Sequence, residues 1–242
     1  MNTAMSSKSL RTAPIAAAAA RAVRAAYLRP VPAAAAPVLP LGALDQIGSQ
    51  VKFAAGKAIA EEGNAAEYVY KVVTGALRKV RLLPDGRRHI TSFALTGDLV
   101  GFNDGAEYQD TIEAITDVTL VRYTRNAFED LMQRDARLMR HLFTVVCRKF
   151  SATQERLVLL GRKAALERIA TFLLTMADGK GDEIELPMNR SDIADYLGLT
   201  VETVSRNLTQ LRERHIIDMP TANRIVFLKR GSLDEISAGE AA

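Results

Sequence analysis

Cysteine is almost missing from this chain: Cys147 stands alone among 242 residues. An internal disulfide is thereby excluded, and such usage suits a reducing cytoplasm, where the protein is expected to reside. A single thiolate also cannot hold an iron–sulfur cluster, which needs about four. Long apolar runs are lacking too. None approaches the ~18 residues of a membrane span, so no membrane association is expected. The phosphate-cradling Walker loop, the His-Glu-x-x-His pair and the G-x-S-x-G elbow are all absent, which argues against an enzyme. The three histidines, His89, His141 and His215, are scattered without metal-ligand spacing, so no metal or cofactor is expected from them. A haem ligand among them is the rival reading. The paired acids Glu61-Glu62 and Asp182-Glu183 sit in turn-like contexts that suit solvation better than acid–base chemistry.

Charge is less informative than it looks. The net +4 is carried entirely by residues 1–50, where Lys8, Arg11, Arg21, Arg24 and Arg29 face only Asp45. The remainder sums to zero, so any affinity of the folded part for a polyanion must come from local arrangement of charge.

Five segments follow from composition and periodicity. Residues 1–40 are Ala- and Pro-rich and acid-free, which reads as a disordered tail with a short helix around Ala16–Tyr27. An Arg-rich, acid-free start resembles a transit peptide as well. Residues 41–126 are expected to be an all-β roll. Tyr68–Val73, Ala76–Leu83, His89–Ala94 and Val118–Tyr123 read as strands, separated by turns at Gly56, Gly63, Gly75, Gly86, Gly97 and Gly101. Asp85-Gly86 predicts a type I′ hairpin. Residues 127–161 read as one long helix in which Leu131, Leu138, Val145, Ala152 and Leu159 form one row. Met132, Met139, Val146, Thr153 and Leu160 form a second, widened by Leu142, Phe143 and Phe150. Two such rows predict a helix packed between its own roll and a partner, hence a homodimer. Cys147 lies beside these rows as a small apolar filler or, with Arg148 and Lys149 next to it, as a candidate redox thiol.

Residues 162–231 carry the strongest signal. Ala194, Gly198 and Val204 give a steep helix–turn–helix: a small residue at the crossing, positive φ at the corner, and an apolar seal. Asn189 and Thr200 are expected N-caps, and Val201, Val204, Leu208 and Leu211 a buried stripe. Glu202, Ser205 and Arg206 share the other face at the helix start, with chemistry that reads base edges. Arg190, Ser191, Thr200, Val201 and Thr203 complete the candidate DNA-binding set. Ile216–Ile217, the turn at 220–223 and Arg224–Leu228 add a hairpin wing, and residues 232–242 are expected to be a flexible tail.

A β-roll, a long helix and a winged helix in that order resemble the Crp–Fnr family of transcription regulators. Leu199-Thr200-Val201-Glu202-Thr203-Val204-Ser205-Arg206, with its Glu-x-x-Ser-Arg pattern, is similar to the FixK branch. Gly75, Asp85-Gly86-Arg87 and Gly97-Asp98-Leu99-Val100-Gly101-Phe102 agree in the roll. The resemblance implies an α+β fold with a cupin-like, cyclic-nucleotide-binding-type roll, a long dimerisation helix and a C-terminal winged helix-turn-helix. It implies double-stranded DNA as partner, an interrupted TTGAT-N4-ATCAA-like palindrome as target, and activation by touching RNA polymerase near Leu83–Arg88. Asp110 falls where a cyclic nucleotide's phosphate would sit and would repel it, so cyclic-nucleotide sensing is not expected.

Overall fold

The computed structural model describes residues 44, 47–162, 164–177 and 181–240. The expected N-terminal tail and its short helix lie outside the described residues.

Eight antiparallel strands make the roll: β1 (Ser49–Phe53), β2 (Ala58–Ala60), β3 (Tyr68–Thr74), β4 (Leu77–Leu82), β5 (Arg88–Ala94), β6 (Leu99–Val100), β7 (Thr111–Ala114) and β8 (Val118–Thr124). They pair into two four-stranded sheets, in the orders β1-β8-β3-β6 and β2-β7-β4-β5. Tyr70, Val72, Leu77, Ile112, Ala114, Val118 and Leu120 fill the space between the sheets. The strands alternate inward apolar and outward polar positions, as a half-buried sheet requires. Gly75 joins β3 to β4 at φ +87°, and a Cβ there would meet the Asp117 carbonyl oxygen at 2.5 Å, so only glycine fits.

The β4–β5 hairpin corrects the expected turn type. Asp85 does not take positive φ; among the described residues only His215 does so without being glycine. Gly86 N–H donates to Leu83 O (2.8 Å) and Leu83 N–H to Arg87 O (2.9 Å), closing a turn in which Gly86 alone is left-handed, at φ +80°. Pro84 explains this. Its ring fixes a negative φ where a type I′ turn would need a positive one.

Two helices cover and extend the roll, α1 (Arg125–Arg134) and α2 (Ala136–Arg162), and α3 (Ala165–Ala177) follows them. The single long helix expected from residue 127 is therefore broken at Asp135, without glycine or proline. Asp135 leaves the helical region (φ −113°, ψ 97°). Its carboxylate then accepts from the Arg137 and Leu138 N–H groups at 2.8 and 3.2 Å, capping α2. Phe128, Leu138 and Leu142 pack with Val69, Leu99 and Tyr123 on the outer face of the β3-containing sheet.

Burial separates the two rows of α2 only in part, since Ala152 of the first is exposed and Leu160 of the second half-buried. Leu138 and Leu159 are buried, whereas Met139, Phe143, Val146, Phe150 and Leu157 stand 43–69% exposed at spacings of 4, 3, 4 and 7. Cys147 is exposed and lies beside Val146 on the side of α2 that turns away from the roll, so the roll does not bury it.

The C-terminal domain comprises α3, β9 (Glu183–Glu185), α4 (Arg190–Leu197), α5 (Val201–Glu213), β10 (Ile217–Asp218), β11 (Arg224–Phe227) and α6 (Arg230–Ala238). β10, β11 and β9 form a three-stranded antiparallel wing. The flexible tail expected from residue 232 is instead the helix α6, whose Leu233 and Ile236 sit at i and i+3 and are buried in the domain core. Ser237 Oγ also meets Thr171 Oγ of α3 at 3.0 Å. No described helix is long and apolar enough to cross a membrane.

Candidate nucleic-acid interface

Local chemistry fixes both helices of the motif. Asn189 Oδ1 accepts from the Asp192 N–H at 2.9 Å while the Asp192 carboxylate accepts from the Asn189 N–H, a reciprocal capping box that starts α4. Gly198 ends it at φ 63°, ψ 43°, and Leu199 N–H donates back to Ala194 O at 3.0 Å. Thr200 then caps α5, its Oγ1 accepting from the Thr203 N–H at 3.2 Å. Ala194 and Val204 are buried at the crossing, and Leu208 and Leu211 continue the stripe. Val201 departs from it. It is 39% exposed, because it occupies the first turn, before α5 meets its neighbour.

The opposite face of α5 is open. Glu202 and Arg206 are exposed, Ser205 is half-buried, and Arg190 Nη1 reaches from α4 to donate to Ser205 Oγ at 3.1 Å. Thus Arg190, Ser205 and Arg206 form a connected polar surface, with Glu202 at its N-terminal edge. Bonds from its own backbone N–H and from Thr200, with Arg206 nearby, hold the Glu202 carboxyl below the usual carboxylate range. It is an acceptor only. Thr200 and Thr203 are bonded to one another through their hydroxyls (3.0 Å), which gives them a framing part, and Ser191 is exposed at the start of α4.

Residues that sequence reasoning missed lie behind this surface. Asp192, only 1% exposed, accepts from Arg78 Nη1 of β4 at 2.9 Å and Arg88 Nη2 of β5 at 3.0 Å. Arg88 Nε also reaches Asp195 at 3.3 Å, and Glu113 of β7 bridges the two arginines. Arg156 of α2 lies 4.0 Å above the Tyr196 ring and donates to Tyr196 O (2.7 Å), Ile90 O (2.8 Å) and Thr91 O. Phe93, Phe172 and Tyr196 close the contact with ring centroids 5.1–6.4 Å apart. The capping-box spacing of Asn189 and Asp192 could have signalled the cap. Nothing in the sequence signalled that arginines over a hundred residues upstream share that carboxylate.

In the roll, Asp110 is not a free negative charge. It is buried, pairs with Lys79 Nζ at 2.6 Å and Arg81 Nη2 at 3.5 Å, and accepts from Thr91 Oγ1 at 3.0 Å. The repulsion of phosphate expected from Asp110 loses its basis, because Lys79 and Arg81 compensate its charge within the fold. Arg81 edges an open cavity of about 470 Å³ with Glu62, Glu107 and Tyr108, and donates to Gln109 O at 2.7 Å. Among the described residues no group of three or more His, Cys, Asp or Glu could hold a metal ion.

A capped helix-turn-helix with a wing, mounted on a two-sheet roll and a long helix, defines a DNA-binding regulator of transcription. Comparison with known proteins agrees at both ends of the chain. Residues 167–236 match the model of a Crp-like helix-turn-helix domain, and residues 50–135 that of a cyclic nucleotide-binding domain. The nitrogen fixation regulation protein FixK of Azorhizobium caulinodans is 38% identical over 199 residues, spanning 79% of this chain and 80% of that protein. The transcriptional activator protein FnrL of Cereibacter sphaeroides is 31% identical, spanning 77% and 79%. Among solved structures, FixK2 from Bradyrhizobium japonicum is 39% identical with a TM-score of 0.74, covering 81% of this chain and 98% of that one. The chain belongs to the Crp–Fnr family of transcription regulators, on its FixK-like branch, and is not an enzyme.

Proposed function

We propose that this regulator is a cytoplasmic homodimer that activates transcription without a small ligand, reading a TTGAT-N4-ATCAA-like palindrome with one α5 per half-site. The observation that carries this reading is the open N-terminal face of α5, with Arg206 and ionised Glu202 exposed and Arg190 joined to Ser205. Arg206 suits guanine O6 and N7, Glu202 a cytosine amino group, and Ser205 either role. The N-terminal end of the second helix is the part such motifs insert into the major groove. Replacing Arg206 by Ala is expected to cost about 1–3 kcal/mol and to relax preference at one guanine. Gel shifts on a set of single-base operator variants measure this, and an unchanged preference would refute the assignment of Arg206.

The dimer is supported by the apolar side chains left open on α2, which repeat at coiled-coil spacing. For RNA polymerase, the β4–β5 hairpin offers exposed Leu82, Asp85 and Arg87, while Arg88 is committed to Asp192 and Asp195. A second reading, gating by an effector, is favoured by an apolar cavity lined by Leu99, Phe102, Leu142, Val145 and Phe150. Its volume of about 270 Å³ falls just short of the range of roughly 300–1,000 Å³ usual for small-molecule sites. Haem titration tests it. A Soret band together with a change in operator affinity would favour gating, and full activity of colourless protein would not.

A further inference from the structure

We infer that Arg78 and Arg88, on the roll and remote from the reading face, are positioning residues for DNA recognition: they set the angle at which α5 is presented, and with it the half-site spacing that is read. This rests on the proposal that the protein binds a two-fold palindrome. Asp192, Asp195 and Tyr196 lie at i, i+3 and i+4 of α4, so they share the face turned to the roll. Arg190 and Ser191 precede them, and Arg190 reaches α5. The geometry is continuous. Both arginines hold Asp192 Oδ1, the same carboxylate closes the capping box on Asn189, and the next residue, Arg190, donates to Ser205 Oγ.

Asp192 is the decisive group. It is 1% exposed, and a carboxylate taken from water needs charged or hydrogen-bonded partners in place. Its charged partners come from the roll. Undocking the C-terminal domain would leave the roll's arginines without it and return it to solvent, so the docked angle is selected by charge as well as by packing. Arg156, inserted between Ile90, Thr91 and Tyr196, and the Phe93–Phe172–Tyr196 cluster add shape to the same contact. The reading face stays exposed while the opposite face is held.

One base pair rotates a half-site by about 35° around the duplex, so a dimer with fixed α5 helices must be sensitive to spacer length. The test uses the full-length protein and palindromes whose spacer is the N4 of the proposed target, or one base pair shorter or longer. The parent is expected to prefer N4 by about tenfold or more. In the double variant R78Q/R88Q that preference should flatten to within about threefold, while dimerisation and a cooperative melt persist. R206A should do the reverse, losing preference at one base and keeping the spacer preference. Retention of the full spacer preference by R78Q/R88Q overturns the inference and leaves the function intact. A parent that cannot tell the palindrome from random duplex overturns the function and the inference together. Should the double variant fail to fold, R88Q alone leaves Asp192 paired with Arg78, and a spacer preference identical to the parent's would then overturn the proposal.

Discussion

At the scale of single residues, the contact between roll and DNA-binding domain carries a pH dependence whose sign can be worked out. His89 Nε2 lies 3.5 Å from Arg156 Nη2. Burial and the Arg156 charge push its pKa below the ordinary histidine value, against a smaller raising influence from Asp195. The unfolded chain therefore binds a proton that the folded one resists. Stability contributed by neutral His89 is present above about pH 6.5 and is lost as pH falls below it. His141, lowered by burial and by Arg148, acts in the same direction. Denaturant midpoints at pH 7.5 and 5.5 should show the loss, and His89→Gln should shrink it without abolishing it. An identical pH slope in the variant would remove His89 from the account. Other residues show how far sequence reaches at this scale. Glu202 and Arg206 were legible because helical period alone puts them on one face. Val201 was misread because period says nothing about where along a helix its neighbour begins. Asp110 was misread because its partners, Lys79 and Arg81, come from a strand about thirty residues upstream.

At the scale of elements, α2 was legible as a helix with two faces, and the structure assigns them. One face is spent on the roll; the other keeps Phe143 and Phe150 at 68% and 63% exposure. Burying a side chain of that size contributes about 1.5–3 kcal/mol, so a symmetric pair of such stripes would hold two protomers firmly. Phe150→Glu, which places a charge at the middle of the stripe, should convert the proposed dimer to monomer in sedimentation experiments and weaken operator binding with it. A variant that stays dimeric would move the interface elsewhere. Short strands were beyond the sequence. β6 has two residues and β2 three, too few for alternation to register. The break at Asp135 was hidden because an aspartate cap needs neither glycine nor proline, only a carboxylate in reach of two N–H groups. The α6 helix escaped notice because its apolar signal is only Leu233 and Ile236, and what buries them is α3, some sixty residues away.

For the whole molecule, the division of charge separates two kinds of DNA affinity. Residues 1–40 hold five cations and no acid, whereas everything after residue 50 sums to zero. Phosphate neutralisation follows the number of cations brought to the duplex, and it is blind to sequence. The residues after 50, with local clusters of charge only, depend in the proposed mode on shape and base contacts at α5. Removing residues 1–40 should therefore weaken binding to random duplex more than binding to the palindrome, so the ratio between the two rises. Each contacting cation lost from a protomer should lower the slope of log affinity against log salt by about 0.9 on random duplex. Titrations of parent and truncated protein across a salt series measure both quantities. Equal losses on the two duplexes would mean that the basic segment contributes within the specific complex itself, and the separation of attraction from recognition would fail.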